Sequence, residues 1–208
     1  MVSFIFVHGG NMSTETWNEL TTGDPVHTSD GLMGGRIWDT ALSALADQGI
    51  QGYAPTLGDE KSSNLTDHIT QICSLVHEHD LDTIILVGHS YGGMIITGVA
   101  ARMPEKISHL VYIDAAYPES GQSLYDIMLS GGQDPSSYPG FVPDPPYVER
   151  IVFDPQMIAS IPKTYVYCSN SNFSILSHAV KEKIALSDGE WTWYEVPASH
   201  VPMAEMPG

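Results

Sequence analysis

An apolar run that leads straight into a glycine-flanked serine constrains this chain more than any other stretch. Residues 84–87 are Ile-Ile-Leu-Val, residues 88–92 are Gly-His-Ser-Tyr-Gly, and a helical apolar pattern follows at once. Gly-x-Ser-x-Gly between a strand and a helix is a nucleophile elbow, a turn so tight that side chains at Gly88 and Gly92 would meet the backbone. It would expose the Ser90 hydroxyl at a helix N-terminus, where backbone N–H groups favour negative charge. A plain strand-to-helix turn is the alternative for so short a motif.

The N-terminal segment supplies a second feature of the same chemistry. Residues 2–7 form an apolar run that ends in His8-Gly9-Gly10. A strand that ends in His-Gly-Gly is the usual place for the second oxyanion donor of a serine hydrolase, since glycine lets the backbone approach a substrate oxygen. We therefore predict an oxyanion hole formed by the backbone N–H groups of Gly10 and Tyr91, with an ordinary turn as the alternative for this loop.

The apolar pattern alternates between short runs typical of strands and longer amphipathic runs typical of helices. Strands that alternate with helices favour an α/β fold, with a mostly parallel sheet covered by helices on both faces. The pattern predicts strands at 2–7, 51–54, 84–87, 107–113, 164–168 and 191–196, and helices at 37–48, 65–76, 94–103 and 175–186.

Two segments interrupt this alternation. Residues 18–35 are rich in glycine and have no sustained period, which predicts a loop or insertion at the rim of the site. Residues 118–160 contain half of the 14 prolines together with several aromatic residues. The aromatic content argues against a disordered loop, so we predict a single domain over residues 1–208 with a small cap at about 118–160.

The general base has nine histidine candidates. His200 alone lies in a loop after the last predicted strand, at the sheet edge where Ser90 emerges. Serine first and histidine last is also the chain order of this architecture. The pattern therefore predicts His200 as the base that activates Ser90. His89 is expected to point away from the site, because it is a flanking residue of the elbow.

The residues leave more than one candidate for the group that orients His200. Residues 169–173, after the strand at 164–168, contain no carboxylate. Asp114 ends the strand at 107–113 and could reach the same imidazole from the neighbouring strand. A structural role for Asp114 at the hinge of the cap, or a weak dyad oriented by Asn170 or Asn172, are the alternatives.

The surroundings of these residues predict a small apolar substrate. We expect Asn11, Tyr117, Tyr125 and Phe141 to line a pocket for a small alkyl or aryl ester. A formal net charge of −17 disfavours binding to nucleic acid or anionic membranes. No cofactor or metal is predicted. Residues 1–7 lack a basic region ahead of their apolar run and the chain has two cysteines, which favours a cytoplasmic protein without disulfides. The oligomeric state stays open, a homodimer included.

These motifs together resemble the α/β-hydrolases, in the group that contains plant methyl-ester esterases, hydroxynitrile lyases and bacterial relatives. The matching segments are Phe6-Val7-His8-Gly9-Gly10, Ala54-Pro55-Thr56-Leu57-Gly58, Gly88-His89-Ser90-Tyr91-Gly92-Gly93-Met94, Leu110-Val111-Tyr112-Ile113-Asp114-Ala115 and His200-Val201-Pro202-Met203. The resemblance implies hydrolysis of small esters through Ser90 and His200 without a cofactor.

The chain also departs from this group. The aspartate that usually follows the strand after the cap is missing, and Ser199 stands where glycine commonly precedes the histidine. Similar lyases carry threonine at the position of Gly9 and lysine at that of Val201, so the esterase is favoured over a hydroxynitrile lyase or a C–C bond hydrolase. A ligand-binding protein with weak or no turnover is a further alternative, and the missing aspartate is its support.

Overall fold

A computed structural model describes residues 2–138, 141–187 and 189–206, and within them one sheet of six parallel strands in the order β2-β1-β3-β4-β5-β6. The strands are β1 (Val2–Val7), β2 (Gln51–Tyr53), β3 (Thr83–His89), β4 (Ile107–Ile113), β5 (Lys163–Cys168) and β6 (Trp191–Val196). The predicted α/β fold with a parallel sheet is therefore confirmed.

Helices connect the strands and cover both faces of the sheet. They are α1 (Thr14–Leu20), α2 (Asp39–Asp47), α3 (Leu65–Glu78), α4 (Gly92–Arg102), α5 (Leu124–Ser130), α6 (Pro145–Val148), α7 (Gln156–Ala159), α8 (Ser174–Ala185) and α9 (Pro202–Glu205), with 3₁₀ turns at Gly34–Trp38, Pro104–Lys106 and Pro135–Ser137. In the described part of the chain, no helix is long and apolar enough to cross a membrane.

Local sequence signals explain where the longer helices begin. The Asn64 side chain accepts from the Asp67 backbone N–H while the Asp67 carboxylate accepts from the Asn64 N–H, a reciprocal capping box at the start of α3. Ser123 and Asp126 form the same arrangement at the start of α5. Such caps satisfy N–H groups that a helix leaves unpaired in its first turn.

Alternate residues of β3 pack into two hydrophobic clusters, one on each face of the sheet. Ile84 and Leu86 are fully buried in the larger cluster, which includes α3 and α4. Val87 and the partly buried Ile85 belong to the smaller cluster, which contains Trp38. This two-sided burial fixes the strand register, because a slip by one residue would exchange the two faces.

The register also brings the strand ends to one edge of the sheet. Val7 pairs with Gly88, and His89 pairs with Ile113. The residues that follow these strands, among them Ser90 and Asp114, are therefore neighbours at the carboxyl edge, where open α/β sheets bind their ligands.

The segment predicted as a cap holds three short helices, α5 to α7, on the side of the larger cluster. Leu124, Met128, Tyr147 and Ile158 from this segment are buried in that cluster. Residues 139–140 of the predicted cap lie outside the described residues. The boundaries of domain and cap stay predictions.

The prediction of a loop over 18–35 is wrong at both ends. Helix α1 continues through Leu20, and the 3₁₀ turn Gly34–Trp38 begins inside the segment. With seven residues, α1 has only about two turns, which is too short for a visible helical period. Its start is fixed by Ser13, whose hydroxyl accepts from the Thr16 N–H, and by the buried Trp17.

Candidate active site

Ser90 occupies a strained turn between β3 and α4. Its φ is +54°, in the left-handed region that non-glycine residues rarely adopt. A Cβ atom on Gly88 would lie 2.8 Å from the Gly92 carbonyl oxygen, and one on Gly92 would lie 2.6 Å from the Val7 carbonyl oxygen. Both glycines are thus required by the close approach of the backbone, as the elbow motif predicts.

The elbow is tied to the end of β4. The Ser90 N–H donates to the Ile113 carbonyl at 3.3 Å, and the Ser90 carbonyl accepts from the Ala116 N–H at 3.0 Å. Asp114 lies between these two partners and also has a positive φ, of +42°. Strained backbone of this kind clusters at functional sites, because the surrounding structure must hold it in place.

His200 and Asp114 are in direct contact. His200 Nδ1 lies 2.6 Å from Asp114 Oδ2, and the Asp114 side chain is fully buried. The other carboxylate oxygen accepts from the Ser177 hydroxyl at 2.5 Å. Burial raises the pKa of the Asp114 carboxyl, but hydrogen bonds from His200, Ser171 and Ser177 outweigh it, so this pKa lies below its usual value. Asp114 is therefore an ionised acceptor for the Nδ1–H of His200.

The two alternative orienting residues are placed differently. The Asn170 side chain donates to the Pro197 carbonyl at 3.1 Å. Asn172 is exposed at the rim of the cavity that holds His200. The geometry favours Asp114 over both, although it comes from β4 and not from the strand that follows the cap.

Ser177 is a member of this cluster that the sequence analysis missed. It lies on α8, 63 residues from Asp114 along the chain, and it is buried. A serine on a helix carries no local sign of such a distant contact.

His89 packs against His200, so the expectation that it points away from the site is wrong. Its Nε2–H donates to the His200 backbone carbonyl at 2.6 Å, and the two ring centroids are 4.7 Å apart. Burial, together with the nearby charge of His200, lowers the pKa of His89 to about 3. His89 is thus a neutral imidazole. Because it directly precedes Ser90, its hydrogen bond connects the elbow to the backbone of His200.

Gly10 and Tyr91 carry the two backbone amides that the sequence predicts as oxyanion donors. Within residues 2–138, 141–187 and 189–206, neither N–H donates to a main-chain carbonyl. Both residues line the cavity that contains Ser90. A Cβ atom on Gly10 would collide with the Tyr147 hydroxyl, which explains why glycine is needed there. Backbone amides without a main-chain acceptor, on residues that line the same cavity as a serine, are candidate oxyanion donors.

Ser90 and His200 line one cavity of about 250 Å³. Its apolar walls come from α1 and the residues before it, the cap, and α8 with its N-cap, and they include Met12, Leu20, Leu124, Met128, Phe173 and Val180. The predicted pocket residues Asn11 and Phe141 are part of this lining. A cavity of this size and character suits a small apolar ligand.

Tyr117 and Tyr125, the other two predicted pocket residues, require correction. Tyr117 packs edge-on against Tyr112 and Trp191, with ring centroids 5.4 and 5.0 Å away. Tyr125 stacks on Phe141 at 5.5 Å and lies outside the cavity lining. The sequence showed that aromatic residues gather in this segment, but not which of them face the cavity.

Metal ligands do not cluster in the part of the chain that the structure describes. There, no group of three or more histidine, cysteine, aspartate or glutamate side chains could hold a metal ion.

Comparison with known proteins gives one family and several named relatives. The model of the alpha/beta hydrolase family matches residues 4–204. A carbendazim hydrolyzing esterase from Nocardioides sp. (strain SG-4G) is 35% identical over 136 residues, which are 62% of this chain and 48% of that protein. A pheophorbidase from Raphanus sativus is 28% identical over 141 residues, 64% of this chain and 47% of that protein. The chain spans about half the length of these relatives or less.

Solved structures show the same fold. A pyrethroid hydrolase from Sphingobium faniae JZ-2 aligns with a TM-score of 0.70 and 18% identity, over 100% of this chain and 93% of that one. Polyneuridine aldehyde esterase aligns with a TM-score of 0.72 and 17% identity, over 100% and 95% of the two chains.

Proposed function

This chain belongs to the alpha/beta hydrolase family, and from that premise we propose that it hydrolyses small carboxylic esters through an acyl-enzyme. Ser90 is the nucleophile, His200 the general base and Asp114 the residue that orients the base. The single observation that carries the proposal is the 2.6 Å contact between His200 Nδ1 and Asp114 Oδ2, beside the cavity that Ser90 lines.

The first half of the reaction forms the acyl-enzyme. His200 takes the proton of Ser90 as its hydroxyl oxygen attacks the ester carbonyl, and Asp114 stabilises the imidazolium that results. The amides of Gly10 and Tyr91 donate to the oxyanion of the tetrahedral intermediate. His200 then gives its proton to the leaving alcohol.

The second half returns the free enzyme. A water molecule, deprotonated by His200, attacks the acyl carbon on Ser90. The bond from that carbon to Ser90 Oγ then breaks, His200 returns the proton to Oγ, and the carboxylic acid leaves. No step needs a redox cofactor, since no electron is transferred to or from the substrate.

The substrate class follows from the cavity and from the names of the relatives. An apolar space of about 250 Å³ suits small alkyl or aryl esters, methyl esters included. The relatives include a carbendazim hydrolyzing esterase, a pyrethroid hydrolase and putative methylesterases, which supports ester hydrolysis as the reaction type. A cytoplasmic location and a homodimer stay predictions from the sequence.

Hydrolysis of p-nitrophenyl acetate tests the proposal. The unmodified chain should release p-nitrophenolate, and Ser90→Ala should lower kcat by about 10⁶-fold. Ser187→Ala, a change at an exposed serine, is the matched control and should leave the rate unchanged. Absence of turnover by the unmodified chain, or full activity of Ser90→Ala, contradicts the proposal. Cyanohydrin cleavage without ester hydrolysis would instead favour a lyase.

A further inference from the structure

Two side chains outside the proposed triad accept hydrogen bonds from the loop that carries Gly10. Asn11 has a φ of +48°, and its N–H donates both to Glu60 Oε1 at 2.7 Å and to the Tyr147 hydroxyl at 3.0 Å. A non-glycine residue keeps this left-handed backbone conformation only when the surrounding structure restrains it. One amide shared between two acceptors is such a restraint.

Glu60 lines a different cavity from Ser90. It lines a second cavity, of about 660 Å³, together with Asn11 and Asp144, whereas the cavity of Ser90 does not include it. Its carboxylate is half-buried, and burial raises its pKa, while hydrogen bonds from Tyr147 and Asn11 act in the opposite direction. Glu60 is therefore placed to act on the site through the Asn11 backbone and not by lining the cavity of Ser90.

Tyr147 connects the loop to the predicted cap. It lies on α6 and is buried, and its hydroxyl oxygen accepts from the same Asn11 N–H that donates to the Glu60 carboxylate. Its hydroxyl occupies the space that a side chain on residue 10 would fill, and its ring meets the Tyr91 ring edge-on at 5.1 Å. Tyr147 thus contacts both residues whose amides are the proposed oxyanion donors.

We propose that Glu60 and Tyr147 form a clamp that fixes the Gly10 amide for oxyanion binding, so that docking of the cap segment and assembly of the oxyanion hole are coupled. Glu60 and Tyr147 are positioning residues here, and the inference rests on the proposed ester hydrolysis. Oxyanion donors act only at about 2.7–3.1 Å from the developing charge, so a loop that drifts loses transition-state binding before it loses substrate binding.

Kinetics of Glu60 variants on p-nitrophenyl acetate test the clamp. Glu60→Ala should lower kcat by about 10–100-fold with little change in KM, because the loop amide loses its strongest acceptor. Glu60→Gln keeps an acceptor oxygen and should stay within a few-fold of the unmodified chain. Tyr147→Phe removes the second acceptor, and its kcat should lie between those of Glu60→Ala and Glu60→Gln. Asp24→Ala, at an exposed carboxylate in another loop, is the matched control and should leave kcat and KM unchanged.

A trifluoromethyl ketone inhibitor separates positioning from a general loss of structure. It forms an oxyanion on the serine, so its inhibition constant should weaken in parallel with kcat/KM in Glu60→Ala, at an unchanged thermal midpoint. Unchanged inhibition in Glu60→Ala, or a loss in Glu60→Gln equal to that in Glu60→Ala, overturns the clamp. If Glu60→Ala does not fold, Tyr147→Phe is the test: a lowered kcat supports the clamp, and an unchanged kcat overturns it. An unmodified chain without esterase activity refutes the proposed function instead.

Discussion

The proposed nucleophile and its base are carried by two differently built regions of one sheet. Ser90 lies between β3, a central strand with a neighbour on each side, and α4, in which every residue from Gly92 to Ala100 is buried. His200 follows β6, an edge strand in which no residue is buried.

The difference shows how each group is positioned. Ser90 lies between two buried elements and its backbone is hydrogen-bonded to the end of β4, so its geometry depends on the global stability of the core. His200 is held by a few directed contacts, namely those of its side chain with Asp114 and of its backbone with His89. Variants on the core side should therefore change stability first, and variants around His200 should change activity first.

The largest effect is expected on the His200 side. Asp114→Asn removes the charge that fixes the imidazole tautomer, and kcat should fall by about 10⁴-fold. The thermal unfolding midpoint of Asp114→Asn should stay close to that of the unmodified chain, since the substitution keeps the side-chain volume. Steady-state kinetics and thermal unfolding on the same preparation measure both. Asp154→Asn, at an exposed aspartate, is the control. An unchanged rate would return Asn170 and Asn172 to consideration.

The next effect belongs to the core side. Ile95 on α4 is fully buried, so Ile95→Ala should lower the free energy of unfolding by about 2–5 kcal/mol. Tyr194→Ala on β6 removes a side chain that is 57% exposed and should cost no more than about 0.5 kcal/mol. Urea unfolding gives both values. Equal losses for the two variants would break the contrast between core and edge.

A pH series tests two buried histidines, His8 after β1 and His89 at the end of β3. Burial lowers the pKa of His8 from 6.5 to about 4 and that of His89 from 6.5 to about 3. The unfolded chain therefore takes up protons at these residues at a pH where the folded chain does not, and stability must fall as the pH drops below 6.5. By about pH 5, each histidine should cost about 2 kcal/mol. Urea unfolding at about pH 7.5 and pH 5 measures the change, and His89→Gln should reduce it. Equal stability at the two values contradicts the buried neutral imidazoles.

The smallest effect is expected in the loop after β6 that carries His200. Glu205 on α9 accepts from the Ser199 N–H at 2.9 Å, one residue before His200. The carboxylate is exposed, so Glu205→Ala should lower kcat by less than about tenfold and hardly change stability. Glu182→Ala on α8 is the control. A loss as large as that of Asp114→Asn would show that this loop depends on more than the contacts of His200.

The sequence predicted those features that depend on neighbouring residues. The glycines of the elbow follow from local sterics and the alternation of strands and helices follows from periodicity, and the structure has both. Helix α1 was missed because it is too short to show a period.

Contacts between residues that are far apart in the chain could not be predicted from the sequence. Ser177 meets Asp114 across 63 positions, and Glu60 meets the Asn11 amide across 49, without any motif that marks them. Tyr117 and Tyr125 were assigned to the pocket on composition alone, and composition does not tell which way a ring faces. The direction of His89 likewise depends on a loop that returns 111 residues later.

Covalent trapping tests the central claim most directly. A fluorophosphonate should add once per molecule, and peptide mass spectrometry should find the adduct on Ser90, with much slower labelling of Asp114→Asn. If the chain hydrolyses p-nitrophenyl acetate while Ser90 stays unmodified, or if the adduct forms on another residue, the proposed mechanism is wrong.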